Sequence, residues 1–196
     1  MEAVIVDSGG ANLASLRYAL ERLGARAHVS RDAATIASAA RVILPGVGAA
    51  GHAMARLRAA GLAGVLRTLE QPVLGICLGM QLLFEASEED ATECLGVMPL
   101  SARRLEPAAG HPVPHMGWNE LRRLRADPLL EQVADGDYVY FVHSYAAPLC
   151  DFTLASMHYR APLSAVVRRG NYWGTQFHPE RSADTGAHVL GNFLRL

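Results

Sequence analysis

Over the first eighty or so residues, short apolar runs alternate with stretches whose apolar residues recur at helical spacing. No other feature restricts the fold as much. Residues 3–7 form a β-branched run ending in Asp7-Ser8-Gly9-Gly10, after which Leu13, Leu16, Leu20 and Leu23 share one helical face until Gly24 stops them. The unit then repeats. Segment 25–29 reads as extended, 32–40 as helical and 41–44 as extended, and a Gly-rich turn follows. A long Ala/Leu/Arg helix runs on to Leu69 with a break near Gly61 and Gly64, and Pro72 closes it. Segment 73–77 is continuously apolar, as in a strand covered on both faces, and 80–84 opens another helix. Past Glu85 the style changes to β-rich runs at 95–98, 117–121, 138–144, 153–158, 165–168 and 172–177, with 107–114 a loop and a closing helix over 183–194. This order predicts an α/β fold of one domain, 1–196, whose mixed, mostly parallel central sheet is flanked by helices and gains antiparallel strands in the second half.

Composition excludes several classes of function. With 196 residues, 51% of them hydrophobic and 19% charged, the chain has enough apolar content for one core. A net charge of -1 offers no basic field for nucleic acid. No apolar run approaches the roughly 18 residues that span a membrane, and Met1-Glu2 opens with an acid where a secretory leader would be basic. All 18 basic residues are arginines, so lysine Schiff bases, a pyridoxal phosphate anchor and a Walker A loop are excluded. Cys77, Cys94 and Cys150 are odd in number and form no Cys-x-x-Cys, which predicts free thiols and a cytoplasmic protein.

Gly75-Ile76-Cys77-Leu78-Gly79 is a G-x-C-x-G at a strand-to-helix junction, the thiol counterpart of a nucleophile elbow. The glycines permit a sharp turn that exposes the sulfur, and the N-terminus of the following helix favours a thiolate. Against this stands the ordinary use of a lone cysteine as a small buried hydrophobe. A thiolate nucleophile needs a base, and His178-Pro179-Glu180 offers one with its orienter. A residue before proline is biased to extended geometry, in which positions i and i+2 project to the same side. A rival signal is Gly46-Val47-Gly48-Ala49-Ala50-Gly51, a literal dinucleotide-binding G-x-G-x-x-G with Glu70 about 20 residues on. That acid stands before the next strand instead of at its end, and the fingerprint follows the third strand instead of the first. The other use of such a turn is an oxyanion hole. No metal site is expected: His111 and His115 straddle Pro112 and Pro114, and His28, His52, His158 and His188 read as surface or structural.

Pro45-Gly46-Val47-Gly48, Gly75-Ile76-Cys77-Leu78-Gly79-Met80-Gln81 and Gln176-Phe177-His178-Pro179-Glu180, in this order, resemble the class I (triad) glutamine amidotransferases over nearly the whole chain. Three further motifs resemble the glutaminase subunits of imidazole glycerol phosphate synthases in histidine biosynthesis. They are Asp7-Ser8-Gly9-Gly10-Ala11-Asn12-Leu13, His115-Met116-Gly117-Trp118-Asn119 and Tyr140-Phe141-Val142-His143-Ser144-Tyr145. Anthranilate synthase glutaminases are similar around the cysteine but usually carry His where this chain has Met80. The resemblance implies Cys77 as nucleophile on the glutamine amide, His178 as proton shuttle and Glu180 as its orienter. It further implies backbone NH groups of Val47 and Leu78 at the oxyanion, and Gly48, Gln81, His143, Ser144 and Tyr145 around the glutamine. It implies no cofactor and no metal. As partner it implies a (β/α)₈ cyclase subunit in a heterodimer, supplied with ammonia and docked against Asn12, Trp118, Tyr140 and Arg181, the last where the family often has lysine. Trp118 and Tyr140 read equally as core aromatics. A glutaminase subunit of another amidotransferase, an NAD-binding oxidoreductase and a non-catalytic regulator of a cyclase are the competing readings.

Overall fold

A computed structural model describes residues 1–9 and 13–196; Asn12, expected at a partner face, lies outside the described residues. In chain order the elements are β1 (Glu2–Val6), α1 (Leu13–Arg22), β2 (Arg26–Ser30), α2 (Ala33–Ser38), β3 (Val42–Gly46), α3 (Ala50–Ala59), α4 (Leu62–Arg67), β4 (Val73–Cys77) and α5 (Leu78–Leu82). The second half adds β5 (Phe84–Ser87), β6 (Thr92–Glu93), β7 (Met98–Arg104), β8 (His115–Glu120), β9 (Arg122–Arg123), β10 (Tyr138–His143) and β11 (Tyr145–Ala146). It closes with β12 (Thr153–Tyr159), β13 (Ala161–Arg169), β14 (Tyr172–Thr175) and α6 (Ala183–Arg195).

The central sheet runs β2-β1-β3-β4-β14-β13-β12-β9. From β2 to β14 every pairing is parallel, and β13 and β12 continue antiparallel, as the alternating first half and β-rich second half require. Both faces are covered. Leu74 and Ile76 of β4 point into a core shared with α1 and α6, while Val73 joins the opposite core of α3 and α4. Burial on both faces explains why β4 is apolar throughout instead of alternating. Two small sheets, β10-β8 and β11-β7-β5-β6, lie outside this frame.

Several local expectations need correction. The long helix breaks once, at Gly61, whose positive φ of 69° ends α3, while Gly64 sits inside α4. Helix α5 begins directly after Cys77 and is only five residues long. Phe84, expected to be helical, instead opens β5 by pairing with Met98, so sheet pairing overrides helical spacing there. Segment 95–98 is not a strand but a turn around Gly96 (φ 68°). Leu95 N–H donates to the Leu82 oxygen and Gly96 N–H to the Phe84 oxygen, and the strand starts at Met98.

Candidate active site

β3, β4 and β14 end at one edge of the sheet, with Gly46 level with Cys77 and Thr175 level with Ile76. The three motifs read from the sequence thus meet at the carboxyl ends of parallel strands, where open α/β sheets form their crevices. Cys77 itself turns the chain with φ 54° and ψ −114°, a backbone region costly for any residue with a Cβ. What holds it there is contact of backbone on backbone. A Cβ on Gly79 would lie 1.8 Å from the Leu44 oxygen, one on Gly46 2.6 Å from the Gly79 nitrogen, and one on Gly75 2.7 Å from the Gly79 oxygen. The glycines of the elbow therefore serve close packing of α5 onto β3 and β4.

His178 arrives on the segment leaving β14 and is buried. It is extended, but Pro179–Arg181 forms a single 3-10 turn, so Glu180 reaches it by coiling back and not by lying two residues on along a strand. The His178 Nδ1 to Glu180 Oε1 distance is 2.9 Å. Ser182 fastens this turn: its hydroxyl donates to the His178 oxygen at 2.7 Å and accepts from Tyr140 N–H at 2.9 Å. Gly186 lets α6 close over it, since a Cβ there would meet the Pro179 oxygen at 2.0 Å. His178 Nε2 is buried and makes no hydrogen bond, and His178 lines the pocket that Cys77 also lines. Burial alone would lower the imidazole pKa, but Cys77 and Glu180 on its two sides more than offset this and raise it from 6.5 to about 10.

A pocket of about 280 Å³ opens over the sulfur, at the small end of ligand sites and of a size for an amino acid. Its lining brings together Val47, Gly48, Cys77, Leu78, Gln81, His143, Ser144, Tyr145 and His178, with Glu180 behind His178. Gln81 Nε2 donates to the Tyr145 oxygen at 2.8 Å and to Gln176 Oε1 at 2.9 Å. His143 Nδ1 lies 2.9 Å from the Tyr145 oxygen, and its Nε2 lies 3.2 Å from His115 Nδ1. If His143 Nδ1 carries hydrogen toward Tyr145, its Nε2 accepts from His115. Burial lowers both imidazoles, His143 to about 3 and His115 to about 4, so both are neutral at pH 7.

Some lining residues carried no signal in the sequence. Glu89 is the one carboxylate on the pocket wall among the described residues, and its Oε2 accepts from Ala50 N–H at 2.7 Å, capping α3 from a distant loop. Pro114 and Val142 also line the pocket. Only three-dimensional proximity reveals Glu89 and Pro114, whereas Val142 lies inside the Tyr140–Tyr145 motif already singled out.

Trp118, Tyr140 and Arg181 are not in the pocket. Trp118 lies opposite Tyr140 in the β8-β10 ribbon with ring centroids 6.0 Å apart, and the Arg181 guanidinium sits 4.6 Å over the Tyr140 ring. Trp118 is 51% exposed, so its reading as a core aromatic fails, and Met116 and Tyr138 beside it are exposed too. The rival G-x-G-x-x-G lies at the elbow: Gly46 packs on α5, and Gly48 (φ 84°) lines the pocket. Glu70 precedes β4 and so stands at the opposite end of the sheet from that turn, out of reach of any ligand held there. No cluster of three or more metal-ligating side chains occurs among the described residues.

Comparison with known proteins agrees with this arrangement. A family model for glutamine amidotransferase class-I matches residues 4–196. The imidazole glycerol phosphate synthase subunit HisH of Xanthomonas oryzae pv. oryzae is 55% identical over 195 residues, covering 100% of this chain and 98% of the relative. The subunit of the same name from Xylella fastidiosa is 54% identical with the same coverage. Among solved structures, a glutamine amidotransferase superposes with a TM-score of 0.75 at 20% identity, covering 98% of this chain and 97% of that one. Another, from Thermotoga maritima, gives 0.68 at 16% identity and covers 94% and 78%. At such identities the structures speak for the fold, whereas the family model and the close relatives speak for descent: the chain belongs to the class I glutamine amidotransferase family.

Proposed function

We propose that this chain, as one domain over 1–196, is the glutaminase subunit of an imidazole glycerol phosphate synthase in histidine biosynthesis. Its substrate is glutamine and its partner a cyclase subunit in a heterodimer. The observation that carries the reading is a buried imidazole held by Glu180 beside a sulfur on a strained elbow, in a chain 55% identical end to end to subunits of that name.

In the reaction, the Cys77 proton already rests on His178, whose pKa is raised to about 10, and Sγ attacks the side-chain amide carbon of glutamine as a thiolate. The carbonyl oxygen becomes an oxyanion beside Val47 N–H and Leu78 N–H, the latter a first-turn donor that α5 leaves unused. The carbon–nitrogen bond then breaks, His178 gives its proton to the departing nitrogen, and ammonia leaves a glutamyl thioester. Water attacks the thioester carbonyl, His178 takes the proton from it, and glutamate departs as the sulfur is restored. The balance is glutamine plus water to glutamate plus ammonia. Glu180 keeps the imidazolium oriented throughout. Gly48, Gln81, His143, Ser144 and Tyr145 hold the rest of the glutamine, and Glu89 supplies the negative charge that an α-ammonium group needs.

Ammonia released into water at neutral pH is protonated and loses its nucleophilicity, so the product must pass directly to an acceptor enzyme. The ribbon face of exposed Trp118 and half-buried Tyr140, with Arg181, is the docking surface for the cyclase, which joins the nitrogen to a ribulosyl formimino aminoimidazole carboxamide ribonucleotide. The products are imidazole glycerol phosphate and aminoimidazole carboxamide ribonucleotide. No described helix is long and apolar enough to cross a membrane, and the free thiols suit the cytoplasm.

The test is glutamate release by the chain with a cyclase subunit and its nucleotide, compared with Cys77→Ala. Loss of glutamine-dependent turnover by at least about 1,000-fold, with cyclase product still formed from ammonium salts, is expected. Undiminished glutamate release by the alanine variant would overturn the reading.

A further inference from the structure

Gln176 hydrogen-bonds the Cys77 sulfur but has no part in the chemistry above. It is fully buried, two residues before His178, and its backbone N–H is tied to the Ala165 oxygen at 2.9 Å. Its side chain bridges the nucleophile and the substrate wall. Oε1 accepts from Gln81 Nε2 at 2.9 Å, and Nε2 donates to Cys77 Sγ at 3.8 Å. Neighbours settle the direction of this bridge. Gln81 Nε2 faces two acceptors, Gln176 Oε1 and the Tyr145 oxygen, so Gln81 presents hydrogens. Gln176 must answer with its oxygen, which leaves its own NH₂ for the sulfur.

On its other side, Cys77 Sγ donates to the Val142 oxygen at 3.7 Å. The sulfur therefore stands between an acceptor and a donor. A thiol can use the Val142 oxygen. A thiolate has no proton to offer it and is repelled by it, but gains from an N–H, because a hydrogen bond to an ionised acceptor is about twice as strong as one between neutral groups. We infer that Gln176 is a positioning residue of the glutaminase, which holds the Cys77 sulfur in its attacking form through Nε2–H and through Oε1 fixes the amide of Gln81 on the glutamine pocket. One side chain thus aligns nucleophile and substrate together. The inference rests on Cys77 being the nucleophile.

Two variants separate the halves of this role. Gln176→Glu keeps an acceptor for Gln81 but offers the sulfur a carboxylate in place of a donor, whereas Gln176→Met removes both contacts. Each is assayed as the complex with cyclase and nucleotide for kcat and KM. Each is also titrated with iodoacetamide across pH to follow Cys77 alkylation, with Cys77→Ala alongside. For Gln176→Glu, kcat should fall about 10- to 100-fold with KM within about twofold, and the alkylation profile should move to higher pH. For Gln176→Met, kcat should fall similarly and KM should rise severalfold as well. Turnover per alkylatable Cys77 and an alkylation profile equal to those of the parent, whatever the change in folded yield, would make Gln176 a packing residue and overturn the inference. Retained turnover by Cys77→Ala is a separate outcome, and it would remove the foundation instead.

Discussion

The floor of the pocket and its outer wall are built on opposite terms. On the floor, β3, β4 and α5 approach until Gly46, Gly75 and Gly79 have no room for a methyl group, and Cys77 is held in a backbone conformation that only such crowding sustains. On the wall, β8 and β10 hydrogen-bond only to each other as strands, and alternate residues face opposite ways. Val139, Phe141 and His143 turn inward and are buried, while Tyr138, Tyr140 and Val142 turn outward beside Glu120, Trp118 and Met116. The contrast separates two tasks. Backbone crowding fixes Cys77, the proposed nucleophile, and a two-stranded ribbon connects the pocket to the outer face where the proposed partner docks. An acceptor-bound partner can therefore act on the wall and leave the floor alone, provided it binds one arrangement of the ribbon better than another.

The largest expected effect comes from breaking the floor. Gly79→Ala puts a Cβ 1.8 Å from the Leu44 oxygen, so β3 and α5 must separate. A loss of about 3 kcal/mol or more and a fall in Tm of roughly 10 °C are expected by thermal denaturation, with turnover lost as well. A stable, active alanine variant would show that the elbow does not depend on this packing.

Breaking the outer face of the wall should do something different. Trp118→Ala removes a half-exposed ring, so Tm should stay within about 1 °C of the parent, while the Kd for the cyclase rises about 30-fold in a titration. Unchanged affinity would move the docking surface elsewhere.

The smallest effect concerns the inner face. His143 and His115 have pKa values pushed down by burial to about 3 and about 4 from 6.5. Their neutral forms stabilise the fold above about pH 6.5, and this contribution is lost as pH falls toward 4 and then 3, because the unfolded chain takes up protons first. Denaturant unfolding followed from about pH 6.5 to 4 should show that slope, and His115→Phe should remove about one proton's worth of it. An unaltered slope would mean that His115 titrates freely in the fold.

The same division explains what was legible in the sequence. The floor was, because its requirements are local: a strand, two glycines flanking Cys77, and a helix directly after. The early α/β alternation likewise predicted the parallel sheet. Less legible were features made by contacts distant in the chain. Gly61 and not Gly64 ends α3, and Phe84 leaves its helical spacing to pair with Met98. Glu180 meets His178 through a turn that Ser182 pins to Tyr140, which no reading of His-Pro-Glu alone supplies. Glu89 reaches the pocket from a loop whose sequence reads only as acidic. Trp118 looked equally like core and surface, since an aromatic in a two-stranded ribbon has the same spacing either way; its exposure decides between them.

The central claim is that Cys77 carries the glutamyl group during turnover. Acid quenching of the chain with cyclase, nucleotide and glutamine, followed by peptide mass spectrometry, tests it directly. The account predicts a glutamyl adduct on the peptide containing Cys77 that forms during turnover and is absent from Cys77→Ala. Sustained glutamate release with that peptide unmodified, or with the adduct on Cys94 or Cys150, would contradict it.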